Sequence, residues 1–428
     1  MTDKPPSPFA YPAYRAFFVA KLGSTLAQML MVIVIGWQVY DMARATMSVR
    51  ESAFLLGMVG LAQFAPVFLL SLVVGVVADR VDRRMIARAA VALELLCALA
   101  LTALAWSGAQ LLWPLFAVAV LLGVARAFAS PSLSALAPNL VPPAILPTAI
   151  AWNSIGWQIG AVLGPVAGGL SYDLFPPLPY GLSALLLLAA LVSLFRIPPV
   201  LQVPHSGENV LESVKDGLNF VRGNQIVFGA ISLDLAAVIL AGATAMLPIF
   251  ARDILEVGPG GLGLLRAAPA FGAGIVALWL TQRPLGRRVG LKMFVNVGIF
   301  STATILFGLS TTLWLSVTAL VVLGAADMVS VYVRSSLIQL HTPDDKRGRV
   351  SSVSMLFVSA SNELGEFRAG VSAAAFGAVE ATVIGGVLAL GVTLLWSRLF
   401  PALRDADRLD VPEAMKAESI RAKRRGSI

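Results

Sequence analysis

Long apolar runs separated by short polar segments dominate the hydropathy pattern of this chain. About twelve runs reach the roughly 20 mostly apolar residues that a helix needs to cross a bilayer. Apolar and polar residues do not alternate with period two, as they would in the strands of a membrane barrel. The pattern therefore predicts an all-α membrane protein with twelve transmembrane helices. The predicted spans are residues 14–41, 52–78, 85–107, 110–136, 145–172, 178–197, 224–251, 258–281, 290–311, 313–338, 348–373 and 377–400.

A longer polar stretch at residues 198–223 interrupts the series after the sixth predicted span. It contains a possible amphipathic helix at residues 210–221, and we interpret the stretch as a cytoplasmic linker between two six-helix halves. The predicted divisions are an N-terminal tail at 1–13, a bundle at 14–197, the linker at 198–223, a bundle at 224–400 and a C-terminal tail at 401–428.

The two halves resemble each other when the sequence is shifted by 201 residues. Five matches fall in this one register, without a gap, in and around the fourth and fifth spans of each half. The shift also predicts that Arg126 and Asp327 occupy equivalent places, and parallel repeats of this kind put a substrate site near the midplane between the halves. The matching pairs are Gly123 with Gly324, Leu136 with Leu337, Pro142 with Pro343, Gly164 with Gly365, and Gly169 with Gly370.

Composition excludes a soluble enzyme. Apolar residues make up 57% of the chain and charged residues 13%, whereas soluble domains have roughly 45–50% and about 25%. The single Cys97 and the distant His205 and His341 form no disulfide framework or metal pair. No phosphate loop or nucleophile–base set is evident. We therefore expect no enzyme activity, no cofactor, no metal and no nucleic-acid partner.

Basic residues indicate the orientation of the predicted spans. The segments that would face the cytoplasm are rich in Lys and Arg, whereas the opposite loops contain only Arg44, Arg50 and Arg252. By the positive-inside rule, both termini lie in the cytoplasm of a protein of the bacterial inner membrane. The inside residues are Arg80, Arg83, Arg84, Arg88, Lys215, Arg222, Arg283, Arg287, Arg288, Lys292, Lys346, Arg347 and Arg349.

The loop between the second and third spans reads GVVADRVDRR at residues 75–84. It resembles the hallmark loop G-x-x-x-D-R-x-x-R-R of the major facilitator superfamily, in which this loop latches the two halves in one conformation. The alternative is a positive-inside loop without a gating role. A degraded second copy lies at residues 283–288. The matched residues, our candidate conformational latch, are Gly75, Asp79, Arg80, Arg83 and Arg84.

The fifth span carries small residues at every fourth position. It resembles the pattern G-x-x-x-G-P-x-x-G-G, which in the superfamily is associated with exporters that operate as antiporters. The alternative is ordinary packing, since small residues allow helices to approach closely. The residues of this antiporter-like motif are Gly156, Gly160, Gly164, Pro165, Gly168 and Gly169.

Charged residues within the predicted spans are the remaining candidates for function. Charge in hydrocarbon is costly, so these side chains should face the bundle interior or a wet cavity. Arg126 lies near the place where the superfamily has an arginine linked to proton coupling, although Ala129 and Pro131 depart from the surrounding pattern. Structural ion pairing is favoured for Glu94, Arg266 and Arg368. The candidate coupling or substrate-cavity residues are Arg126, Asp234, Asp327, Arg334, Glu363 and Glu366.

Two further segments, residues 233–269 and 324–367, resemble one branch of the superfamily, the transmembrane secretion effector family, which includes the enterobactin exporter. This resemblance extends from about Tyr14 to Phe400. It implies a monomeric secondary transporter that exports a small organic molecule, such as a siderophore, by alternating access with protons as the coupling ion. The alternatives are a multidrug or lysophospholipid transporter, or a non-transporting membrane scaffold.

Overall fold

The long apolar runs fold into helices, because a backbone inside a bilayer must satisfy its hydrogen bonds within its own segment. The computed structural model describes residues 7–199, 210–283, 285–343 and 346–409, and within its helices the side chains of residues 71–73, 75–76, 78–80, 210–213 and 363 lie outside the description. The first half contains α1 (Pro12–Arg44), α2 (Val49–Arg80), α3 (Arg83–Trp106), α4 (Leu112–Leu136), α5 (Leu146–Leu174) and α6 (Leu178–Phe195).

The linker contributes one helix, and the second half repeats the arrangement of the first. A terminal turn follows the last long helix. These elements are α7 (Val210–Gly223), α8 (Gln225–Ala241), α9 (Leu247–Ile249), α10 (Gly258–Gln282), α11 (Val289–Leu309), α12 (Leu313–Leu340), α13 (Arg347–Phe376), α14 (Ala378–Leu399) and α15 (Pro401–Arg404).

The predicted all-α fold of two six-helix bundles is confirmed. Within the described ranges, no residue is in a strand, and ten helical segments are long and apolar enough to cross a membrane. Helices α5 and α13 have similar lengths, 29 and 30 residues. Both helices are more polar than the ten apolar segments, since α5 is rich in small and amide residues and α13 carries several charges. Together with these two helices, the ten segments make up the twelve-helix architecture.

The seventh span, predicted at 224–251, is present at Gln225–Ile254, but its helix is interrupted within the span. Helix α8 ends at Ala241, and Gly242 follows with φ of 23°. The chain continues as a 3₁₀ turn (Ala243–Met246), α9 and a π-helical turn (Phe250–Ile254). A Cβ added at Gly242 would lie 2.9 Å from the carbonyl oxygen of Gly365. The break therefore occurs where α13 crosses the span at backbone contact.

Glycines related by the 201-residue shift make equivalent contacts in the two halves. Gly164 of α5 packs against the backbone of α1, and Gly365 of α13 packs against the backbone of α8. Across the halves, Gly169 of α5 contacts Pro259 of α10, and Gly370 of α13 contacts the backbone of α2. Small residues at these crossings permit the close approach of paired helices. The structure therefore supports the repeat and its register.

The linker helix lies at the end of the molecule that carries the α2–α3 loop. We call this end the basic end, and the opposite one, with the α1–α2 loop at residues 45–48, the far end. Helix α7 matches the amphipathic helix predicted at 210–221. Its Asp216 forms a 2.8 Å ion pair with Arg349, and its Gly217 packs on the Arg349 backbone. Helix α7 is thus docked against the start of α13.

Candidate functional site

A cavity lies between the halves and has two compartments that share Gln28, Met29 and Arg126. The inner compartment, of about 150 Å³, reaches toward the far end along α1. The outer compartment, of about 440 Å³, reaches toward the basic end. The outer volume alone falls in the range of about 300–1,000 Å³ that is typical of small-molecule sites.

The broken seventh span supplies part of the inner wall. Thr244, Ala245 and Pro248 line this compartment directly after the break at Gly242. Irregular backbone at membrane depth is tolerated where it lines a cavity, and discontinuous helices commonly form transporter substrate sites. The break is therefore part of the candidate site.

Among the side chains that the structure describes, three charged groups line the inner compartment. Arg126 of α4 places Nη1 3.4 Å from Oε1 of Gln63 on α2. On the other half, Arg266 of α10 places Nη2 3.6 Å from Oε1 of Glu366 on α13 and donates a 3.3 Å hydrogen bond to the carbonyl oxygen of Thr244. The arginine of each half thus faces the same space, and in the second half a carboxylate accompanies it.

A buried carboxylate lies directly behind this wall. The Nε2 atom of Gln28 donates a 2.6 Å hydrogen bond to Oε1 of Glu94, whose side chain is fully buried. The Oε2 atom of Glu94 has no hydrogen-bond partner among the described residues. Because Gln28 lines both compartments, its carboxamide links Glu94 to the cavity.

The cavity brings together two of the six coupling or cavity candidates, Arg126 and Glu366. Asp234 and Arg334 form a buried ion pair with each other between α8 and α12, away from both compartments. Asp327 is partly buried on α12 and lines neither compartment. The side chain of Glu363 lies outside the description.

Sequence reasoning missed Lys21, Gln28 and Gln63, and it favoured a structural role for Arg266. A signal for two of these was available in α1, where polar residues recur at 21, 24 and 28 within an otherwise apolar helix. This spacing puts them on one helical face. By contrast, Arg368 donates a 2.6 Å hydrogen bond to the carbonyl oxygen of Leu240 at the end of α8. It thus satisfies a backbone group that the break leaves open.

The small-residue stripe of α5 is a packing surface between two helices. A Cβ added at Gly160 or Gly164 would come within 2.6 Å of α1 side chains. Gly156 and Gly168 also face α1, at Phe18 and Leu30. On another side, the carbonyl oxygen of Pro165 and the backbone at Gly169 meet α10. Helix α5 is thus wedged between its own half and the other half, and the link of this motif to antiport stays a prediction.

The loop predicted to be a latch is described in part. The side chains of Gly75, Asp79 and Arg80 lie outside the description, and Arg83 begins α3. Asp82 caps α3 by accepting a 2.9 Å hydrogen bond from the backbone N–H of Arg84.

The Arg84 side chain, the last residue of the latch motif, binds its own half in this conformation. It pairs with the carboxylate of Asp82 and donates a 3.2 Å hydrogen bond to the carbonyl oxygen of Ile197 at the end of α6. The Arg84 guanidinium lowers the pKa of the Asp82 carboxyl. A latching role for the loop stays a prediction.

Ionic contacts join the halves at the far end. Asp41 of α1 pairs with Arg252 at 3.0 Å, and Arg44 pairs with Asp253 at 3.3 Å. The hydroxyl of Tyr40 also donates a hydrogen bond to Asp253. Each half contributes one cation and one carboxylate, so the contact is reciprocal. These contacts hold the two halves together at the far end.

Solved transporter structures share this fold. A bacterial homolog of the human lysosomal transporter Spinster, in an inward-facing and unoccupied conformation, has a TM-score of 0.68 at 17% identity, covering 92% of this chain and 98% of that chain. A POT family transporter in complex with 5-aminolevulinic acid has a TM-score of 0.70 at 12% identity, covering 92% and 97%. At these identities the likeness shows the fold alone.

Twelve helices in two related halves around a central cavity define a secondary transporter of the major facilitator superfamily. More narrowly, the chain belongs to the transmembrane secretion effector family, which matches residues 4–428. Among its relatives, the enterobactin exporter EntS of Escherichia coli O1:K1 is 29% identical over 90% of this chain and 91% of that protein. The enterobactin exporter EntS of Shigella boydii serotype 18 is 28% identical over the same shares.

Proposed function

We propose that this protein exports a small organic molecule, a siderophore of the enterobactin type, across the bacterial inner membrane by alternating access. The observation that carries the proposal is the polar cavity between the halves, which reciprocal ion pairs join at the far end. The similarity to two enterobactin exporters over about nine-tenths of each chain supports the choice of cargo. The charged lining disfavours a cavity built for apolar drugs.

The basic end is the cytoplasmic end in this proposal, with both termini on that side. The positions of the Lys and Arg residues support this orientation. In that orientation the outer compartment lies on the cytoplasmic side of the cavity, where a newly synthesised cargo would enter. Opening toward the other side would require the Asp41–Arg252 and Arg44–Asp253 pairs to separate.

Protons are the proposed coupling ion, and one chain is the proposed functional unit. Glu366 supports the choice of protons because its carboxylate lies in the cavity wall at 3.6 Å from Arg266. It also lies against α2 of the other half, since a Cβ added at Gly60 would be 3.5 Å from its Oε2. Protonation of Glu366 would remove its attraction to Arg266 at the contact between the halves. A proton and a cargo could thus act on one contact.

Transport into everted membrane vesicles or proteoliposomes tests the proposal. With an acidic interior, we expect accumulation of enterobactin that collapses when a protonophore dissipates the gradient. A Glu366→Gln variant should lose the dependence on the gradient, and a Glu380→Gln variant, changed outside the cavity wall, should retain it. Enterobactin flux that is equal with and without the purified protein would refute the proposed function.

A further inference from the structure

Helix α1 presents a polar face to the outer compartment. Lys21, Ser24, Thr25 and Gln28 all line it. With a rise of about 1.5 Å per residue, Lys21 lies roughly 14 Å inside the helix from its first residue, Pro12. At that depth, its ammonium group is beside the cavity rather than at the helix end, where lysines usually extend toward the interface.

The ammonium group of Lys21 has no acidic partner among the described residues. The contact that the structure records for it is the ring of Phe17, whose centroid lies 5.9 Å from Nζ. That separation is at the outer limit of a cation–π interaction. Cations within spans are costly and are normally paired or used in a pathway. Lys21 therefore retains a positive charge for which the described residues supply no counter-charge.

A second group in the same wall also lacks a partner. Ser24 is only 3% exposed, and its Oγ has no hydrogen-bond partner among the described residues. Buried hydroxyls are normally satisfied, so an orphan that lines a cavity points to a ligand or to water. Ser24 lies one helical turn from Lys21, and the two groups therefore converge on one region of the compartment.

The rest of the outer compartment fits a polar aromatic molecule. Its wall contains several hydroxyl and amide groups and one indole ring, that of Trp157, which is 51% exposed. Aromatic side chains with exposed faces offer stacking surfaces. The polar groups around Lys21 and Trp157 are Ser130, Ser134, Ser359 and Asn362.

The two compartments differ in charge balance. In the inner compartment, Arg266 already has Glu366 as a counter-charge at 3.6 Å. In the outer compartment, the lining residues whose side chains are described include Lys21, which has no carboxylate partner among them. A negatively charged ligand would complement this compartment, whereas a cation would be repelled.

We propose that the outer compartment is a binding subsite for an acidic group, a carboxylate or phenolate, carried by an aromatic cargo. Lys21 supplies the counter-charge, Ser24 donates a hydrogen bond and Trp157 contacts the ring. The subsite rests on the proposed function, because it assigns the part of the cavity that would hold an acidic aromatic group of the exported cargo.

Binding of a matched probe pair to the full chain in lipid nanodiscs tests this subsite. Salicylate is anionic at neutral pH, whereas salicylamide has nearly the same shape without the charge. We expect calorimetry to show salicylate binding at least about tenfold more tightly than salicylamide, equivalent to about 1.4 kcal/mol. The Lys21→Gln variant should lose this preference, while Lys21→Arg should keep it.

Two controls separate the subsite from folding and from transport. Lys346→Gln removes a lysine outside the cavity and should leave the preference unchanged, and thermal unfolding of each variant confirms that it is folded. Equal affinities for the two probes in the wild type, absence of binding by both, or a preference that survives in Lys21→Gln would each overturn the subsite. Gradient-driven enterobactin transport would still support the proposed function in those cases, so the two failures are distinguishable.

Discussion

The two halves of this transporter share their backbone packing but differ in how they begin equivalent helices. Helix α3 has a local N-cap, since Asp82 accepts a 2.9 Å hydrogen bond from the backbone N–H of Arg84. Helix α11, its equivalent in the second half, starts after Arg288, whose side chain makes no cap hydrogen bond. Instead, the oxygen Oδ1 of Asp407 accepts the backbone N–H of Arg288 at 3.2 Å. A local cap in one half is thus replaced by a long-range contact in the other.

The cavity shows the same divergence in its chemistry. The 201-residue shift pairs Arg126 with Asp327, yet Arg126 lines both compartments and Asp327 lines neither. The second half contributes Arg266 and Glu366 from other helices instead. Backbone crossings are constrained by close packing. A charged group in the cavity can instead be supplied by any helix whose side chain reaches the cavity. The repeat therefore predicts architecture better than it predicts function.

Neutralising the two repeat-related charges, one at a time, should have the largest and most unequal effects on transport. Arg126→Gln removes a cation from both compartments, and we expect initial transport rates to fall at least about tenfold, the loss that corresponds to about 1.4 kcal/mol. Asp327→Asn should change the rates by less than about twofold, since Asp327 lines neither compartment. Rates in proteoliposomes, normalised to reconstituted protein, measure both. Similar losses in the two variants would contradict the assignment.

Substitution of the repeat-related glycines should test what the halves share. Gly123→Ala places a methyl against the backbone of Gln63, and Gly324→Ala places one against the backbone of Pro269. Overpacking of this kind costs about 1–3 kcal/mol. We therefore expect both variants to unfold at lower temperature, by similar amounts, in the same detergent.

Open glycines in each half provide the controls for this comparison. A Cβ added at Gly181 of α6 or Gly391 of α14 would meet no other atom within 4 Å. Alanine at these helical positions should be neutral or stabilising by up to about 1 kcal/mol, because it reduces the freedom of the unfolded chain. If Gly123→Ala or Gly324→Ala behaves like these controls, the equivalence of the crossings is wrong.

Much of the architecture could be predicted because its causes are local. Apolar runs of spanning length specify the helices, and glycines at matching positions such as Gly164 and Gly365 mark the repeated crossings. The break after Ala241 could not be predicted, since it depends on where α13 meets the seventh span. Gly242 alone does not distinguish a break from a tolerated helical glycine.

The candidate site was harder to predict than the fold. Intramembrane charge selected Arg126 and Glu366, whose side chains line the inner compartment. The same criterion selected Asp234 and Arg334, which neutralise each other between two helices. Which charges pair and which face a cavity depends on the rotation of each helix about its axis, and a single sequence with apolar residues on all sides of its helices specifies that rotation weakly.

The local cap in the first half should have a measurable effect on stability. Asp82→Ala removes the N-cap of α3, at a cost of about 1 kcal/mol. The pKa of Asp82 is lowered in the folded protein by hydrogen bonding to Arg84. Its contribution is therefore full above its unfolded pKa of about 3.9 and is lost as the pH falls through the lower folded value. Thermal unfolding from about pH 3 to pH 7 should show a shallower acid-side decline in the variant than in the wild type.

The long-range cap in the second half should contribute less. Asp407→Ala removes one hydrogen bond to the backbone of Arg288, worth about 0.5 kcal/mol for a single exposed bond. It also removes exposed ion pairs with Arg287 and Arg408, which contribute little. Backbone carbonyls of the same segment remain in place, since Ala406 accepts the N–H of Gly290 at 3.0 Å. Amide hydrogen exchange should therefore report faster exchange in the first turn of α11, with little change in the unfolding temperature.

Asp405→Ala is the matched control, because Asp405 pairs with neighbouring Arg404 in the same segment and makes no recorded contact with α11. Its exchange in the first turn of α11 should equal that of the wild type. A loss of stability in Asp407→Ala as large as in Asp82→Ala would mean that the C-terminal segment stabilises α11 as strongly as Asp82 stabilises α3. In that case the two halves would differ only in which part of the chain supplies the cap. The loss of stability on removing the cap would be the same in both halves.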